Sequence, residues 1–430
     1  MNTVAARDIL PDHIARRVVL PAGYTEDRLL YDAFAWIRRN KPLAIAEVAG
    51  YDPLWIVSKH ADILHVSRDP HLFHNADHNP ILMDQATDAF TRSMNNGSLR
   101  VFDTVTFMDP PEHAKYRNVV SSWFLPGRIL KMEAAIRRIA RESVAELMAF
   151  DGECDFVKDF ALYYPLRVIL ELMGIDRADE ARMLRLTQEF FGSHDPEIQR
   201  TEFDQGPDVQ AQTFLAAIRD FYAWFNELTE SRRGGTGDDF ITLIANAKVD
   251  GDYMPERFAS AYHLAFATAG HDTTSSSSSA AILGMIEFPE QFAKVKADPS
   301  LIPALVDEGI RWASPVKHFM RNATHDTELR GQKIRAGDRL MLCYPSGNRD
   351  EDVFENPDVF DIGRGSNRHV SFGYGPHMCV GQHLARLELR ILFEELMPML
   401  KSVELAGQPQ NIQTNFVGGL KSLPIRFAKA

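Results

Sequence analysis

The longest regular pattern of apolar positions runs from Glu256 to Met285 and predicts a helix of about 30 residues. At 1.5 Å per residue such a helix is roughly 45 Å long, enough to cross a whole domain. Its middle, 269–274, reads Ala-Gly-His-Asp-Thr-Thr. These residues are locally unfavourable there, because hydroxyls compete for backbone carbonyls and glycine loosens the turn. Residues that disfavour a helix, when they stand in its middle, often mark a functional site. The serines that follow are equally compatible with close packing between helices.

Shorter patterns with one apolar stripe predict most of the other helices. They cover residues 129–148, 156–191 with a break at Gly174, 209–231, and a run that includes Leu384 and Leu387. Apolar runs that predict strands lie at 43–48, at 54–57 and between residues 328 and 345. Ser58 stands where an N-cap would begin a helix over 59–66. The pattern therefore predicts a mainly α fold with a minor β region.

Two long stretches show little periodicity. Residues 73–107 are rich in Asn, Asp, Gly and Ser and predict a long loop with at most one short helix. Residues 194–208 are polar and contain two prolines and one glycine. Long loops in compact enzymes are often functional, and the second stretch is expected to be a mobile lid.

Composition excludes several classes of protein. The chain has 47 Lys and Arg against 59 Asp and Glu, a formal net charge of −12, which argues against nonspecific binding to nucleic acid or to anionic membranes. Three scattered cysteines are too few for a disulfide framework, so a reducing cytoplasm is expected. The N-terminus lacks the apolar region of a signal peptide, and no run of about 18 apolar residues occurs, so no membrane anchor is expected.

The strongest candidate chemistry surrounds Cys379, which lies in a Gly- and Pro-rich loop just before the helix that contains Leu384. The unpaired N–H groups and the positive dipole end of that helix favour a thiolate at neutral pH. Gly373, Gly375 and Gly381 let backbone N–H groups approach the sulfur, and Phe372 shields it. A shielded thiolate is a good axial ligand for haem iron. The alternative is a buried structural cysteine.

Phe372, Gly375, Cys379 and Gly381 match F-x-x-G-x-x-x-C-x-G, the haem-binding loop of the cytochrome P450 family. His377 stands where many soluble bacterial members carry a histidine. The chain resembles this family from about residue 10 to its end. The resemblance implies a triangular helical prism around a long central helix, in one catalytic domain over 1–430 with a short tail over about 1–10. It also implies haem b as cofactor, with Cys379 as the iron ligand and Phe372, Gly373, His377 and Gly381 beside the haem.

The resemblance assigns roles to the central helix. Ala269 and Gly270 would leave room for dioxygen, Thr273 would hydrogen-bond the bound oxygen, and Asp272 would help to relay protons. A hydroxyl beside a carboxylate suits proton delivery through ordered water.

Two pairs of charged residues gain a role from the same resemblance. His113 and Arg117 are four apart on one helix face and would otherwise form a solvated polar surface. The resemblance implies that they bind the haem propionates together with Arg321, and arginine suits carboxylate recognition. Glu308 and Arg311 would be worth little if exposed, but the resemblance implies a buried structural network.

The candidate substrate pocket is lined by residues that are small or apolar: Ala265, Thr268, Ala269, Val316, Phe416 and Val417. Such a lining suits a compact hydrocarbon held mainly by shape. The resemblance implies a monooxygenase that hydroxylates a small hydrophobic substrate with dioxygen. A monocyclic terpenoid and an alkyl-substituted aromatic hydrocarbon both fit.

The chain has no Gly-rich nucleotide motif and no ferredoxin-type cysteine cluster, so electrons are expected from a separate [2Fe-2S] ferredoxin and its NAD(P)H-dependent reductase. Lys131, Arg137 and Arg138 are candidates for its docking patch, and a solvated helix face is an equal alternative.

Two rival functions stay open. One is a haem-thiolate enzyme that uses peroxide without a redox partner, although Asp272 and Thr273 favour dioxygen. The other is a hydrolase with Cys379 as nucleophile and His377 or His383 as base.

Overall fold

The computed structural model describes residues 8–100, 102–203 and 209–430. The helices are α1 Asp12–Val19, α2 Asp27–Asn40, α3 His60–Arg68, α4 Gln85–Met94, α5 Glu112–Ser121, α6 Pro126–Ile129, α7 Glu133–Ala149, α8 Tyr163–Met173, α9 Glu180–Gly192, α10 Val209–Arg232, α11 Phe240–Ala245, α12 Glu256–Glu287, α13 Pro289–Ala297, α14 Ile302–Ala313, α15 Tyr344–Gly347 and α16 Gln382–Met399. Within the described ranges, no helix combines the length and apolarity that a membrane crossing requires.

The strands are β1 Leu43–Ala46, β2 Leu54–Val57, β3 Phe73–His74, β4 Glu153–Asp155, β5 Lys248–Val249, β6 Asp252–Tyr253, β7 His318–Ala323, β8 Thr327–Leu329, β9 Gln332–Ile334, β10 Arg339–Cys343, β11 Leu400–Leu405, β12 Gln410–Asn411, β13 Leu420–Ser422 and β14 Pro424–Lys429. The largest sheet has the order β1-β2-β10-β7-β3. β1 and β2 pair antiparallel, and β10 then joins β2 in parallel, so this sheet ties the N-terminal region to residues 318–343. The predicted mainly α fold with a minor β region is confirmed.

Helix α12 is the centre of the fold. It is 32 residues long and packs against α8, α9, α10 and α14. Residues on all of its faces are buried, as expected for a helix surrounded by others. Several of its serine hydroxyls donate hydrogen bonds to backbone carbonyls of the same helix, for example Ser277 Oγ to Thr273 O at 2.8 Å. A Cβ at Gly309 of α14 would lie only 2.8 Å from Ala281 Cβ, so small residues here permit close packing.

Two local predictions are wrong. Ser58 does not cap a helix, because α3 begins at His60 with Lys59 as its N-cap, and the Ser58 hydroxyl donates to Pro42 O at 2.8 Å. The helix expected over 129–148 is interrupted by a single 3-10 turn at Leu130–Met132. The apolar stripe of this pattern is nevertheless buried at Ile129, Ile136, Ile139 and Leu147.

The segment expected to be a mobile lid is anchored over residues 194–203, and residues 204–208 lie outside the described part of the chain. Asp195 is buried, accepts the Lys421 ammonium at 3.2 Å and binds the Gln413 N–H at 3.2 Å. Arg200 donates to Glu189 on α9 at 2.6 Å. Ion pairs and hydrogen bonds thus hold residues 194–203 to their neighbours in this structure, and movement of the segment stays a prediction.

Glu308 and Arg311 on α14 form a fully buried pair that also fixes a distant loop. Arg311 donates to both carboxylate oxygens of Glu308, at 2.7 and 2.8 Å, and to the carbonyls of Asn348 and Pro357 at 2.9 Å. Asn348 Oδ1 in turn accepts the Val370 N–H at 2.7 Å. The pair thereby supports the chain that leads to Cys379.

Glu388 on α16 is a second buried acid, but it has no ion-pair partner among the described residues. It is 1% exposed, and its Oε1 makes no hydrogen bond. Burial raises the pKa of Glu388 well above its usual 4.5. Because the folded pKa exceeds the unfolded one, the stability of the fold should fall as pH rises above about 4.5.

We therefore expect Glu388→Gln to have a higher melting temperature than wild type at pH 8, and the gap to narrow at pH 5. Thermal unfolding at both pH values measures this difference. An identical pH dependence in the two proteins would contradict the buried neutral acid.

Candidate active site

The loop that carries Cys379 is shaped by close backbone contacts. Gly375 has φ +71°, and a Cβ there would lie 2.2 Å from Ser67 O, so only glycine fits. The Cys379 N–H donates to Phe372 O at 2.8 Å, which closes the loop on itself. Helix α16 begins three residues later, at Gln382. The predicted arrangement of a cysteine just before a helix is confirmed.

The Cys379 side chain is surrounded by the fold, yet part of its surface is accessible to solvent. It therefore faces an internal cleft. Burial raises the pKa of the thiol, although the N–H groups of Gly381 and Gln382 and the charges of Arg117 and Arg386 act to lower it. The helix terminus alone thus does not keep the sulfur anionic, contrary to the sequence-based expectation. A bound metal ion would deprotonate it outright.

Helix α12 presents Ala269 to an internal cleft. Ala269 is exposed although Ala267 and Thr268 beside it are buried. Thr273 lies one turn further on, and its hydroxyl donates to Ala269 O at 2.7 Å. Gly270 faces elsewhere, because a Cβ there would lie 2.4 Å from Ile169 Cδ1 on α8. The small side chain of Ala269 therefore leaves open space on the cleft side of α12. Gly270 allows α12 to pack closely against α8.

Four basic side chains converge beside the cysteine loop. The ring of His113 lies 4.0 Å from that of His377 between centroids. Arg117 Nη2 donates to Met378 O at 2.6 Å, and Arg321 is 3% exposed. Within the described residues, no carboxylate forms an ion pair with either arginine. The structure therefore brings together three propionate ligands predicted from the sequence, and His377 as well.

The electrostatics of this cluster favour a bound anion. Burial, reinforced by Arg117 and Arg321, lowers the pKa of His113 to about 4. Burial and the same charges lower the pKa of His377 well below its usual value. Both Nε2 atoms are buried without a hydrogen-bond partner in the described structure. Two arginines without acidic partners and two unsatisfied imidazoles beside Cys379 fit the carboxylates of haem.

Two of the substrate-pocket candidates, Val417 and Phe416, border two separate clefts. The first cleft has a volume of about 40 Å³ and is lined by Gln188, Phe191, Asp272, Ser275, Ser276, Val417 and Lys421, among others. The second has a volume of about 50 Å³ and is lined by Leu82, Asp84, Phe190, Phe191, Gln210, Phe214 and Phe416, among others. Phe416 and Val417 thus line different clefts, because neighbouring residues of extended chain point to opposite sides.

The other pocket candidates are distributed as follows. Val316 pairs with Val417 through an isolated antiparallel bridge, so these two lie together. Ala265 is half-buried. Thr268 is buried, and its hydroxyl donates to Leu264 O at 2.9 Å, so that hydroxyl is satisfied within the helix. Direct substrate contact by these residues stays a prediction.

Sequence reasoning missed Phe191 and His318. Phe191 borders both clefts, and the sequence showed it only as the end of a helical pattern. His318 donates through Nδ1 to Asn415 O at 2.7 Å and accepts the Leu82 N–H at Nε2 at 2.9 Å. Burial lowers its pKa to about 4, which keeps the ring neutral for this dual role. No periodicity distinguishes a histidine that joins three distant segments.

The proposed docking patch is mostly neutralised. Arg137 pairs with Glu133, Glu394 and Glu395, and Arg138 pairs with Glu142 and Glu171. The interpretation of these two arginines as a free basic surface is therefore wrong. Glu133 and Glu142 are partners on α7 itself, whereas Glu171, Glu394 and Glu395 lie on other helices and come close only in the fold. Lys131 is exposed and forms no ion pair with a described residue.

Comparison with known proteins adds independent information. The family model for cytochrome P450 matches residues 72–427. Cytochrome P450-terp from Pseudomonas sp. is 54% identical over 426 residues, which is 99% of this chain and 100% of that protein. Linalool 8-monooxygenase from Pseudomonas putida is 34% identical, with 94% and 97% of the two chains covered.

Solved structures agree with this match. The crystal structure of CYP108D1 from Novosphingobium aromaticivorans superposes with a TM-score of 0.91 at 38% identity, covering 98% of this chain and 100% of that one. Mycobacterium marinum CYP268A2, solved in complex with pseudoionone, has a TM-score of 0.86 at 30% identity, with 99% and 98% coverage.

Proposed function

The chain belongs to the cytochrome P450 family of haem-containing monooxygenases, and on that basis we propose that its substrate is a small monocyclic terpenoid. Two relatives support this substrate class. Linalool 8-monooxygenase is named for a terpenoid substrate, and the name of cytochrome P450-terp points to the same class of compound. An alkyl-aromatic hydrocarbon, which the lining residues also fit, has no such support.

Haem b, the cofactor of this family, supplies reductive activation of dioxygen when bound. Cys379 is the residue that would hold its iron, and Arg117, Arg321, His113 and His377 would bind its propionates. The unpaired cations and orphaned imidazole nitrogens beside Cys379 fit this group.

The residues of the chain then have the following tasks. Apolar side chains around Ala269 and Val316 orient the hydrocarbon and exclude water from it. The hydroxyl of Thr273 and the carboxylate of Asp272 are adjacent on α12 and suit proton transfer from solvent.

One observation carries the proposal. Cys379 is exposed, and Ala269 is exposed on α12 although Ala267 and Thr268 beside it are buried. The candidate pocket residues Ala265, Val316 and Val417 are small or apolar. Such a site binds a compact hydrocarbon by shape and offers few polar anchors.

A binding screen tests the substrate class. Purified holoprotein is titrated with a monocyclic terpene alcohol, its parent hydrocarbon, an alkylbenzene and a steroid, and the change in haem absorption gives each Kd. We expect at least roughly tenfold tighter binding of the terpenoids than of the steroid, because a bulky ligand does not fit the enclosed cleft. Tighter binding of the steroid, or of the alkylbenzene over both terpenoids, would overturn the proposal.

We further propose that a [2Fe-2S] ferredoxin delivers electrons near Leu130 and Lys131. These residues follow α6, which packs on α16, the helix that starts beside Cys379. Leu125 and Leu130 are 57% and 60% exposed, so an apolar surface with an unpaired cation lies close to the thiolate ligand. Such a surface is complementary to an acidic partner.

Lys131→Glu should therefore weaken ferredoxin-supported turnover several-fold and reduce its dependence on salt. Arg138→Glu is the matched control and should change neither, because Arg138 is already paired with two glutamates. Steady-state kinetics at two ionic strengths measure both effects. Equal behaviour of the two variants would exclude this docking surface.

The rival functions lose support. Family membership removes the hydrolase interpretation of Cys379. Use of peroxide without a partner is not favoured by a specific observation. All three cysteines are free, which suits the cytoplasm that we propose as the location.

A further inference from the structure

The two oxygens of the Asp272 carboxylate have different surroundings. Gln188 Nε2, on α9, donates a hydrogen bond to Oδ1 at 2.9 Å. Oδ2 is buried and has no hydrogen-bond partner among the described residues. Its nearest basic neighbour is His271 Nδ1, 3.5 Å away, and the His271 Nε2 atom lies 2.7 Å from Leu162 O. One oxygen is therefore held in place, and the other is available.

The first cleft joins this carboxylate to the surface. Asp272, Gln188, Ser275, Ser276 and Lys421 all line it. The Lys421 ammonium binds Glu197 at 2.8 Å, and the Glu197 side chain is 67% exposed, so the cleft borders the surface at Lys421.

The wall of the cleft suits water. The hydroxyls of Ser275 and Ser276 donate no hydrogen bond within the described residues, although the neighbouring serines of α12 return theirs to the helix. Ordered water requires two to four polar partners in a space of sufficient size. Two serine hydroxyls and the Gln188 amide beside Asp272 meet that requirement.

We propose that Gln188 is a positioning residue that holds Asp272, and that water reaches the carboxylate through the first cleft. The amide of Gln188 cannot carry a proton itself, so it acts by fixing Oδ1 and with it the orientation of the carboxylate in the wall of the cleft. The tests of this inference that use turnover rest on the proposed function, and the spectroscopic test does not. The proton-carrying role of Asp272 was implied by the family resemblance, whereas Gln188 and the cleft are assigned from the structure.

The reaction defines what must pass through the cleft. Hydroxylation of a hydrocarbon RH consumes O2, two protons and two electrons and yields ROH and water. The electrons come from the ferredoxin, and the protons come from bulk solvent. A proton taken from cleft water by Asp272 is replaced by the next water in the same cleft.

Gln188→Leu removes the hydrogen bond and keeps the bulk of the side chain. We expect the yield of product per electron pair to fall roughly tenfold, the value of one hydrogen bond to a charged group. The solvent deuterium isotope effect should rise, and substrate affinity should stay unchanged. Turnover supported by hydrogen peroxide should also be unchanged, because peroxide brings oxygen, electrons and protons together.

Two further variants separate positioning from general damage. Gln85→Leu removes a similar amide bond, to Asp52 at 2.7 Å on the surface, and should leave the product yield at the wild-type value. Ser275→Val removes a hydroxyl from the cleft wall and should lower the yield in the same direction as Gln188→Leu. A loss in Gln85→Leu equal to that in Gln188→Leu would overturn the positioning role.

A spectroscopic measurement tests the contact without turnover. The infrared band lost in Asp272→Asn identifies the Asp272 carboxylate in the purified holoprotein, and this band should shift in Gln188→Leu but not in Gln85→Leu. An unshifted band would overturn the inference even if terpenoids are hydroxylated. A shifted band in a protein that rejects every terpenoid would leave Gln188 in place and contradict only the proposed substrate.

Discussion

Glu308→Gln is expected to destabilise the fold by about 3–5 kcal/mol, the usual cost of breaking a buried ion pair from one side. The Arg311 side chain is fully buried and loses its only charged partner on the same helix turn. Glu308 also accepts the Asp361 N–H at 2.8 Å and the Asn367 amide at 3.1 Å, so the loop before Cys379 loses support as well. Denaturant unfolding of the purified variant measures the change.

Arg138→Gln provides the control for this prediction. Arg138 also forms two ion pairs, but its side chain is 53% exposed. Exposed pairs contribute about 0–1 kcal/mol, so this variant should unfold near the wild-type midpoint. A loss below about 1 kcal/mol in Glu308→Gln would show that the buried pair is not structural.

Cys379→Ala should abolish hydroxylation. The loss of activity should exceed the roughly 10- to 100-fold loss that follows removal of an outer-shell partner at a metal site. The variant lacks the sulfur that would bind the iron, while the basic cluster around His113 and Arg117 is intact. We expect the reduced, carbon-monoxide-treated protein to lose the strongly red-shifted Soret band of the wild type. Absorption spectroscopy and product formation measure the two effects.

Cys154→Ala is the matched control, because Cys154 is a free cysteine on strand β4 far along the chain from the haem loop. Burial raises its pKa to about 12, so it is an inert thiol. Its spectrum and activity should equal those of the wild type. Retention of the red-shifted band in Cys379→Ala would assign the iron ligand to another residue.

Much of the fold follows from the sequence, because its long helices have strong periodicity. The central helix was predicted over 256–285 and spans Glu256–Glu287, and the strands at 43–57 pair as expected. The predictions fail where a single turn decides the outcome. A 3-10 turn at Leu130–Met132 divides the helix predicted over 129–148, and Lys59 replaces Ser58 at the cap of α3.

The site was predictable to the extent that a motif specifies it. The cysteine loop and the basic cluster follow from residues close together in the sequence or from the family resemblance. The partners of charged groups do not, since Arg137 meets Glu394 and Glu395 only after α7 packs on α16. Gln188 likewise meets Asp272 only because α9 crosses α12. The thiol pKa also depends on burial, which a sequence does not give.

Turnover under isotopically labelled dioxygen tests the proposed activity most directly. Holoprotein, ferredoxin, reductase and NAD(P)H are incubated with a monocyclic terpenoid under ¹⁸O₂, and the product is identified by mass spectrometry. We predict a terpenoid alcohol that carries one labelled oxygen and that disappears in Cys379→Ala. Unlabelled product, or the same product yield from Cys379→Ala, would contradict a haem-thiolate monooxygenase acting on terpenoids.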